Sequence, residues 1–406
     1  MTDLRNLFIF VVASACTLSV GCGGGSSPSK NSAITQSGQN VAPITVNQGP
    51  AGNYVNGAFA SVTVCVPGTS TCQTIDGVLV DTGSPGLRIL SSALTTALPQ
   101  QKTSGGSPVV ECLQFLASYT WGPVETADVQ IAGEKASAVP IQVLSDTDFT
   151  APSSCSNGSR SANTLQSLSA NGILGIGLFT QDCGSPSCPA TANQYYECTA
   201  ATSCSQIAEA AAQQVQNPVA LFATDNNGVV IELPAVSGAE ATISGSLVFG
   251  IGTQSNNGLG GAKVYNVDPR TGNFSTTFNG TDFNDASFID SGSNGYFFPD
   301  PNITPCPSGS NASAGGFYCP ANTVSLSATN QGITQGNGSV SFSVANAQTT
   351  FTSDPSDAVF GDLGGPTGSS SMNIFDWGLP FFYGRNVYTA IDGASTPGGT
   401  GPYWAY

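Results

Sequence analysis

Two short stretches of the chain place an aspartate in nearly the same setting. Residues 78–84 read Val-Leu-Val-Asp-Thr-Gly-Ser and residues 287–293 read Ser-Phe-Ile-Asp-Ser-Gly-Ser. Two carboxyls about 3 Å apart cannot both ionise, so they share one proton. The ionised member can then take a proton from water while the protonated one polarises a carbonyl group, which hydrolyses an acyl bond without a covalent intermediate. We therefore take Asp81 and Asp290 as the candidate catalytic pair.

The residues that follow each aspartate suit a supporting role. The two glycines permit the tight turn that brings a carboxyl to the end of a strand. The hydroxyl residues next to the aspartates can hydrogen bond across the junction of two halves, and the outer serines can bond the outer carboxylate oxygens. The predicted supporting residues are Thr82, Gly83, Ser84, Ser291, Gly292 and Ser293.

The composition narrows the chemistry further. The 406 residues include no histidine, which excludes Ser-His-Asp and Cys-His mechanisms as well as metal sites built on imidazole. Nine Lys and Arg stand against 25 Asp and Glu, and the net charge of −16 argues against nucleic acid or an anionic membrane surface as the main partner. We expect no metal and no cofactor.

After its first residues, the sequence has mostly patterns that are typical of β-strands. β-branched or alternating runs occur at 59–65, 78–80, 124–144, 246–249, 340–344 and 388–391. Strands at this spacing without alternating helices indicate barrels or sandwiches, so the fold class is all-β. The aspartate motif recurs after 209 residues, which indicates two lobes with one carboxylate each.

The remaining elements are predicted from local signals. Ser203 with Gln206 forms a capping box that predicts a helix over 207–215. Asn227-Gly228 predicts a hairpin turn between strands at 219–223 and 229–233. Polar, Gly-rich or Cys-rich stretches are predicted to be surface insertions, at 95–110, 150–165, 180–204 and 301–340.

The first residues are typical of an export signal. Arg5 precedes an apolar run over 7–15, and small residues lead to Cys22. This pattern resembles a bacterial lipobox, in which the thiol of Cys22 is lipidated; plain secretion with Cys22 as an ordinary thiol is the alternative. Residues 23–45 are polar and aperiodic and predict a flexible tether.

Ten further cysteines indicate an oxidising compartment, since an even set in an exported chain is typical of disulfides. Short loops favour two pairs, elimination gives a third, and the four cysteines between 183 and 204 are ambiguous, with nearest neighbours favoured. A Cys-only zinc site there is the alternative, although its spacings are not of the CxxC type. The favoured pairs are Cys65–Cys72, Cys306–Cys319, Cys112–Cys155, Cys183–Cys188 and Cys198–Cys204.

These motifs resemble the pepsin family of bilobal aspartic proteases. The similar segments follow the family's order, at 80–84, 171–176, 245–250, 289–293, 378–382 and 387–392. More narrowly, the lipobox, the cysteine pattern and residues 119–124 resemble an uncharacterised group of bacterial lipoproteins related to pepsin. The resemblance implies two lobes, each like a six-stranded barrel, with a cleft between them and Asp81 and Asp290 as the dyad.

The chain also departs from the family pattern. The family usually has a tryptophan seven residues after the first aspartate, where this chain has Arg88. If Arg88 lies near the dyad, its charge lowers the pKa values of the pair; pointing outward is the alternative. The flap region lacks the usual Tyr-Gly pair, so Phe115, Tyr119 and Trp121 are the candidates for the aromatic that covers the cleft, with Tyr119 favoured.

Asp376 is a further departure, since the family has an apolar residue in that place. Aromatic residues such as Tyr119, Trp121, Trp377 and Phe381 are more often core than substrate wall.

The resulting expectation is a monomeric lipid-anchored endopeptidase, periplasmic or on the cell surface. Its expected segments are a signal over 1–22, a tether over 23–45, and lobes over 46–252 and 253–406. It would cleave extended peptides or unfolded proteins and touch a membrane only through its anchor. The alternatives are a catalytically idle surface protein that binds in the cleft or through the Cys-rich insertions, and a carbohydrate hydrolase with paired carboxylates at a wider separation.

Overall fold

The computed structural model describes residues 37–406 except 117, 146, 185–186, 308–313, 354 and 368–372. The predicted signal, Cys22 and most of the predicted tether lie outside the described residues. The tether prediction was wrong at its end, because Val41–Asn47 forms a strand whose Ala42, Ile44 and Val46 are buried. No helix of the described part of the chain has the length and apolarity needed to cross a membrane.

The described residues form 29 strands, numbered here in chain order. Strands β1 to β16 are Val41–Asn47, Gly57–Cys65, Cys72–Asp81, Pro85–Leu90, Val109–Gln114, Ser118–Ile131, Glu134–Leu144, Arg160–Ser161, Gly172–Ile176, Ser187–Cys188, Tyr195–Ala200, Ser203–Gln206, Glu209–Ala210, Gly228–Glu232, Ala239–Glu240 and Ile243–Phe249. Strands β17 to β29 are Val264–Asn266, Phe274–Phe278, Thr281–Ile289, Tyr296–Phe297, Val324–Gln331, Asn337–Val344, Val359–Phe360, Gly364–Gly365, Phe375–Trp377, Asn386–Ala390, Ser395–Thr396, Gly399–Thr400 and Tyr403–Ala405.

Helices are few and short. The α-helices of the described residues are α1 Ser153–Ser156, α2 Leu165–Leu168 and α3 Ala347–Ser353. Short 3-10 turns are Ser91–Ala93, Ala190–Ala192, Ala211–Gln213, Pro218–Leu221 and Leu379–Phe382. The prediction of an all-β fold is confirmed.

Two sheets carry most of the strands. One has sixteen strands, in the order β12-β11-β5-β6-β7-β4-β9-β3-β2-β1-β16-β14-β26-β29-β17, with β8 paired to β6. The other has seven, in the order β22-β21-β18-β19-β25-β20-β24. Strands β26, β29 and β17, from the end of the chain and the start of its second half, extend the larger sheet beside β14.

The duplicated motif builds the same three-strand unit in each half. In the first half β3 runs parallel to β9, and β4 returns antiparallel on the other side of β9. In the second half β19 runs parallel to β25, and β20 returns antiparallel to it. Asp81 ends β3 and Asp290 directly follows β19. The predicted bilobal arrangement is confirmed, and each half brings one aspartate to the end of a buried strand.

The core is filled from both halves. In the first half, the inward residues of β2 and β3, such as Val62, Val64 and Val78, are fully buried. In the second half the core is aromatic, with Phe298 and Phe375 stacked at 4.9 Å between ring centroids. Burial of these apolar side chains is the main driving force for the fold.

The helix predicted over 207–215 was wrong. Ser203–Gln206 instead forms β12, antiparallel to β11, and a disulfide joins Cys198 to Cys204 across that pair. The extended pairing takes the capping residues out of a helical conformation, so only the short turn Ala211–Gln213 remains helical.

The hairpin predicted around Asn227-Gly228 was also wrong. Pro218–Leu221 forms a 3-10 turn because the side chain of Asn217 accepts a hydrogen bond from the Val219 N–H at 3.0 Å. Strand β14 therefore pairs with β16 and β26 instead of with its predecessor.

Two of the predicted insertions contain sheet strands of six residues or more. Residues 324–331 of the stretch 301–340 form β21, which lies between β18 and β22. Residues 195–200 of the stretch 180–204 form β11, which pairs with β5 and buries Tyr195 and Tyr196. In β21 exposed serines alternate with more buried residues, so polarity alone did not mark this segment as a loop.

All five favoured disulfides are present: Cys65–Cys72, Cys112–Cys155, Cys183–Cys188, Cys198–Cys204 and Cys306–Cys319. The four cysteines between 183 and 204 therefore pair as nearest neighbours and leave no thiolate for a zinc ion.

Candidate active site

Asp81 is held by its own loop. It lies at the end of β3, where its side chain is buried beside the turn that follows. The Gly83 N–H donates to Asp81 Oδ1 at 2.8 Å, and the Ser84 hydroxyl donates to Asp81 Oδ2. Both bonds stabilise the carboxylate form of Asp81.

Asp290 is held in the same way. The Gly292 N–H donates to Asp290 Oδ1 at 2.7 Å, and the Ser293 hydroxyl donates to Oδ2 at 2.8 Å. Its backbone N–H donates to the Trp377 carbonyl at 3.0 Å, which fixes the turn to β25. The two loops are therefore near copies in their hydrogen bonds as well as in their sequence.

The two carboxyls face each other across the junction. A Cβ at Gly83 would lie 2.6 Å from Asp290 Cγ, and a Cβ at Gly292 would lie 2.7 Å from Asp81 Oδ1. Both distances are far below contact distance, so glycine is the residue that leaves room for the opposite carboxyl. Each aspartate thus packs against the glycine of the other loop.

The pair behaves electrostatically as one unit. Burial raises the pKa of Asp81 well above its usual range, and the charge of Asp290 and a hydrogen bond with it raise this pKa further. The bonds from Ser84 and Gly83 act in the opposite direction. Two carboxyls in hydrogen-bonding contact hold one proton between them.

Reciprocal hydrogen bonds lock the two loops together. The Thr82 N–H donates to Ser291 Oγ at 3.1 Å, and the Ser291 N–H donates to Thr82 Oγ1 at 2.9 Å. The Ser291 hydroxyl donates to the Val80 carbonyl at 2.7 Å, and the Thr82 hydroxyl donates to the Ile289 carbonyl at 3.0 Å. The structure brings these hydroxyls together across 209 residues of sequence, as predicted.

The carboxyl pair lies in a cleft of about 1270 Å³. Both halves line it, with residues such as Ile173 and Phe179 from one and Phe288 and Phe317 from the other. Tyr54, which the sequence analysis missed, also lines the cleft.

The Tyr54 hydroxyl donates to the Gly292 carbonyl at 3.2 Å. Burial and the charges of Asp290 and Asp81 raise the pKa of Tyr54. No local pattern marks Tyr54, since it lies in an irregular segment between β1 and β2.

Comparison with known proteins gives one family and a group of structural neighbours. Residues 36–406 match the model of a family described as protein of unknown function, DUF3443. The chain belongs to DUF3443. No curated protein matches the sequence. One similar solved structure is the crystal structure of an aspartic proteinase from Irpex lacteus, with 15% identity and a TM-score of 0.45, over 90% of this chain and 96% of that chain.

The hairpin of β5 and β6 overhangs the cleft in this DUF3443 protein. Phe115 and Leu116 at its tip line the cleft, and Leu116 is 60% exposed. Tyr119, the favoured aromatic, and Trp121 are instead buried in the cluster behind the hairpin, beside Tyr196. Of the three aromatic candidates, Phe115 is the one that the structure places at the cleft, because the side chains of β6 at 119 and 121 face the disulfide-linked core.

Arg88 lies in a buried ion cluster. Its side chain is fully buried, and its Nη2 lies 2.8 Å from Glu111 Oε1 and 2.9 Å from Asp182 Oδ2. Its Nη1 donates to the Pro85 carbonyl at 2.8 Å, just after the first aspartate loop. The alternative that Arg88 points outward was wrong, since its side chain is fully buried; an effect of its charge on the dyad stays a prediction. A buried Arg needs an acid nearby, but the sequence does not indicate which one.

Asp182, one of the two acids beside Arg88, has a strongly perturbed pKa. Burial raises the pKa of Asp182 well above its usual range, the Glu111 charge adds to this, and Arg88 and the Tyr195 hydroxyl lower it. The Tyr195 hydroxyl donates to Asp182 Oδ1 at 2.7 Å and accepts from the Val215 N–H at 2.7 Å. The cluster thereby ties the base of the hairpin, through Glu111 on β5, to β4 and β11.

Asp376 is the third carboxyl near the dyad. It lies on β25, is 1% exposed, and neither of its carboxyl oxygens has a hydrogen-bond partner of good geometry. Burial, followed by the charge of Asp290, raises its pKa well above the usual range. The strand around it keeps its pairing with β19 and β20, so the acid does not distort this segment.

Proposed function

We propose that this protein is an aspartic endopeptidase that hydrolyses peptide bonds in extended peptides or unfolded proteins through Asp81 and Asp290. The observation that carries the proposal is the contact between the two carboxyls inside a large cleft, each held by a glycine N–H and a serine hydroxyl. Two matched carboxyls with one shared proton can act as acid and base in a single step.

The chemistry follows from the shared proton. The ionised carboxyl removes a proton from water while the water oxygen attacks the peptide carbonyl carbon, and the protonated carboxyl gives its proton to the carbonyl oxygen. A tetrahedral diol results. The protonated carboxyl then gives its proton to the amide nitrogen while the ionised carboxyl takes a proton from one hydroxyl of the diol, so the C–N bond breaks to a carboxylic acid and an amine and the pair again holds one proton. The reciprocal bonds of Thr82 and Ser291 hold the carboxyls in place throughout.

The hydrolysis should work best on the acid side of neutrality. The pair is active with one proton bound, so activity falls when both carboxyls are protonated and again when both are ionised. Because burial and the neighbouring charge raise the pKa of Asp81, the proton is retained above the usual titration range of an aspartate.

We also propose that the protein is exported and that Cys22, outside the described residues, attaches it to a membrane through a lipid. The five disulfides support an oxidising compartment. The expected substrate is a peptide, and the anchor is the expected contact with the membrane.

Hydrolysis of a denatured protein from pH 3 to 7 tests the proposal. Wild type should cleave, and Asp290→Asn should lose nearly all activity, since an amide cannot exchange the proton. Asp282→Asn, an exposed aspartate at the other end of the same strand, should retain full activity. Equal rates for wild type and Asp290→Asn would reject the proposal.

The alternatives lead to different outcomes. A protein that only binds peptides would show no hydrolysis, and saturable binding of a transition-state-mimicking aspartic-protease inhibitor would count against that reading. A glycoside hydrolase pair needs carboxyls about 5 Å or more apart, whereas here a Cβ at Gly292 would lie 2.7 Å from Asp81 Oδ1 and 3.1 Å from Asp290 Oδ1 at once. The geometry therefore does not fit a glycosidase.

A further inference from the structure

Tyr54 joins the first half of the molecule to the second aspartate loop. It lies in the segment between β1 and β2, and its hydroxyl donates to the Gly292 carbonyl at 3.2 Å. Gly292 lies against both carboxyls, since a Cβ there would be 2.7 Å from Asp81 Oδ1 and 3.1 Å from Asp290 Oδ1. The phenol therefore holds the loop at a residue that contacts the whole dyad.

The bonded carbonyl belongs to the peptide group between Gly292 and Ser293. These two residues donate to the two carboxyl oxygens of Asp290, Gly292 through its N–H at 2.7 Å and Ser293 through its hydroxyl at 2.8 Å. The N–H of the same peptide group donates to the Asp290 carbonyl at 3.3 Å, and a hydrogen bond accepted by the peptide carbonyl strengthens that donor. The orientation of this one peptide group therefore determines where both donors to the Asp290 carboxyl lie.

Asn56 attaches the segment of Tyr54 to the second half. Its side chain is fully buried and makes the four hydrogen bonds that a primary amide can make. The partners, all in the second half, are the carbonyls of Asn294 at 3.0 Å and Phe360 at 2.9 Å, the Phe360 N–H at 2.8 Å and the Tyr383 hydroxyl at 2.7 Å. Residues 54 and 56 thus hold the carbonyls on both sides of Ser293, those of Gly292 and Asn294.

Packing limits the movement of the Tyr54 ring. The ring meets Phe59 edge-on, with 5.6 Å between centroids, and a Cβ at Gly57 would lie 2.6 Å from the Tyr54 Cδ1. Burial and the charges of Asp290 and Asp81 raise the pKa of Tyr54, so its hydroxyl keeps the proton that it donates. The ring is therefore a fixed donor at the wall of the cleft.

We propose that Tyr54 is a positioning residue of the dyad, whose hydroxyl holds the peptide group between Gly292 and Ser293 so that both donors keep their geometry at Asp290. Asn56 keeps the segment of Tyr54 in place. The contact adds a further link between the halves to the reciprocal bonds of Thr82 and Ser291. Its effect on rate rests on the proposed peptidase function, whereas its ordering of the loop does not.

Replacement of the hydroxyl alone tests the effect on rate. Tyr54→Phe keeps the ring in the cleft, so kcat should fall about 3- to 10-fold, the usual weight of one hydrogen bond, while KM stays unchanged. Tyr388→Phe is the matched control, because its hydroxyl also donates to a carbonyl, that of Gly258 at 2.8 Å, and Tyr388 does not line the cleft. Its kinetic constants should equal those of wild type.

The rates are measured well below the unfolding temperature of each variant, so that a loss of folded protein does not lower kcat. An unchanged kcat in Tyr54→Phe would overturn the proposal. A lower KM with unchanged kcat would also overturn it, since it would show that the hydroxyl competes with the substrate for the Gly292 carbonyl.

Hydrogen exchange gives a readout that needs no activity. The amides of residues 292 and 293 should exchange about 3- to 10-fold faster in Tyr54→Phe than in wild type, and they should exchange as in wild type in Tyr388→Phe. Equal exchange in Tyr54→Phe and wild type would contradict the ordering of the loop by Tyr54. If wild type hydrolyses nothing, the peptidase assignment fails while this measurement still decides the role of Tyr54.

Discussion

The two aspartate loops are near copies, yet the acids buried behind them are stabilised in different ways. Beside the first loop, Asp182 and Glu111 share the guanidinium of Arg88. Behind the second loop, Asp376 has no cation among the groups that act on it. The first half places a cation beside its buried acids and the second half does not, so the symmetry of the dyad does not extend to its supports.

The different surroundings of these acids indicate which interactions stabilise each half. The ion cluster of the first half joins β4, β5 and β11 and lies at the base of the hairpin that overhangs the cleft. The second half is stabilised instead by an aromatic core that includes the stacked rings of Phe298 and Phe375. Loss of the cation should therefore weaken the first half, while the second half should tolerate a neutral residue at 376.

Removal of the cation gives the largest expected effect. Arg88→Met leaves Glu111 and Asp182 buried without a counter-charge, which should lower the free energy of unfolding by about 3–5 kcal/mol. Chemical denaturation at pH 7 with the disulfides intact measures this loss. Arg160→Met, at an exposed arginine of β8, is the matched control and should change stability by less than about 0.5 kcal/mol. Equal midpoints for the two variants would contradict the compensation by Arg88.

The bonds between the two loops should give the next largest effect. Ser291→Ala removes the donor to the Val80 carbonyl and leaves the buried Thr82 N–H without its acceptor. The free energy of unfolding should fall by about 1–3 kcal/mol, the usual cost of unsatisfied buried groups. Ser327→Ala, at an exposed serine of β21, is the control. A loss confined to activity, with unchanged unfolding, would show that the two loops are not held together by these bonds.

The groups that hold the dyad also show which parts of the site could be predicted from the sequence. The dyad and its hydroxyls follow local rules, because each group bonds within its own loop or to the copy of that loop, and the repeat reveals both. The partners of Arg88 are distant in sequence, and no local pattern selects Glu111 or Asp182 among 25 acidic residues. The helix over 207–215 failed for a related reason, since strand pairing and a disulfide overrode the local signal.

The fold class could be predicted because the signal for a strand is local in the sequence. Alternating apolar residues at 59–65 or 340–344 report a buried face directly, and the structure forms β2 and β22 there. Strand β21 was missed because only one side of it is buried and its exposed side carries serines. Tyr54 was missed because its role comes from the approach of Gly292, which a sequence does not display.

The two halves should also differ in how the free energy of unfolding depends on pH, although this effect is smaller. The folded state raises the pKa of both Asp182 and Asp376, so each acid keeps its proton in the folded protein above about pH 4, where an unfolded aspartate ionises. Between these two pKa values ionisation favours the unfolded state, and stability is lost as the pH rises through the folded pKa.

The matched variants make this loss measurable. Between pH 4 and 7, Asp182→Asn and Asp376→Asn should both gain stability relative to wild type, because neither carries the ionisable group. The gain should be larger for Asp376→Asn, since Arg88 lowers the pKa of Asp182 and no cation does so for Asp376. Denaturation midpoints at the two pH values provide the slopes, and a larger slope for Asp182→Asn would contradict the contrast between the halves.

The tip of the hairpin should show the smallest effect on stability. Leu116 is 60% exposed and lines the cleft, so the folded protein gains little from its burial. Leu116→Ser should change the free energy of unfolding by less than about 0.5 kcal/mol. If the tip covers a bound peptide, the same change should raise KM with little change in kcat, because the contact is made equally in the ground and transition states. Leu221→Ser, at an exposed leucine away from the cleft, should change neither quantity. An unchanged KM in Leu116→Ser would mean that the hairpin does not close on the substrate and that the anchoring by Arg88 serves stability alone.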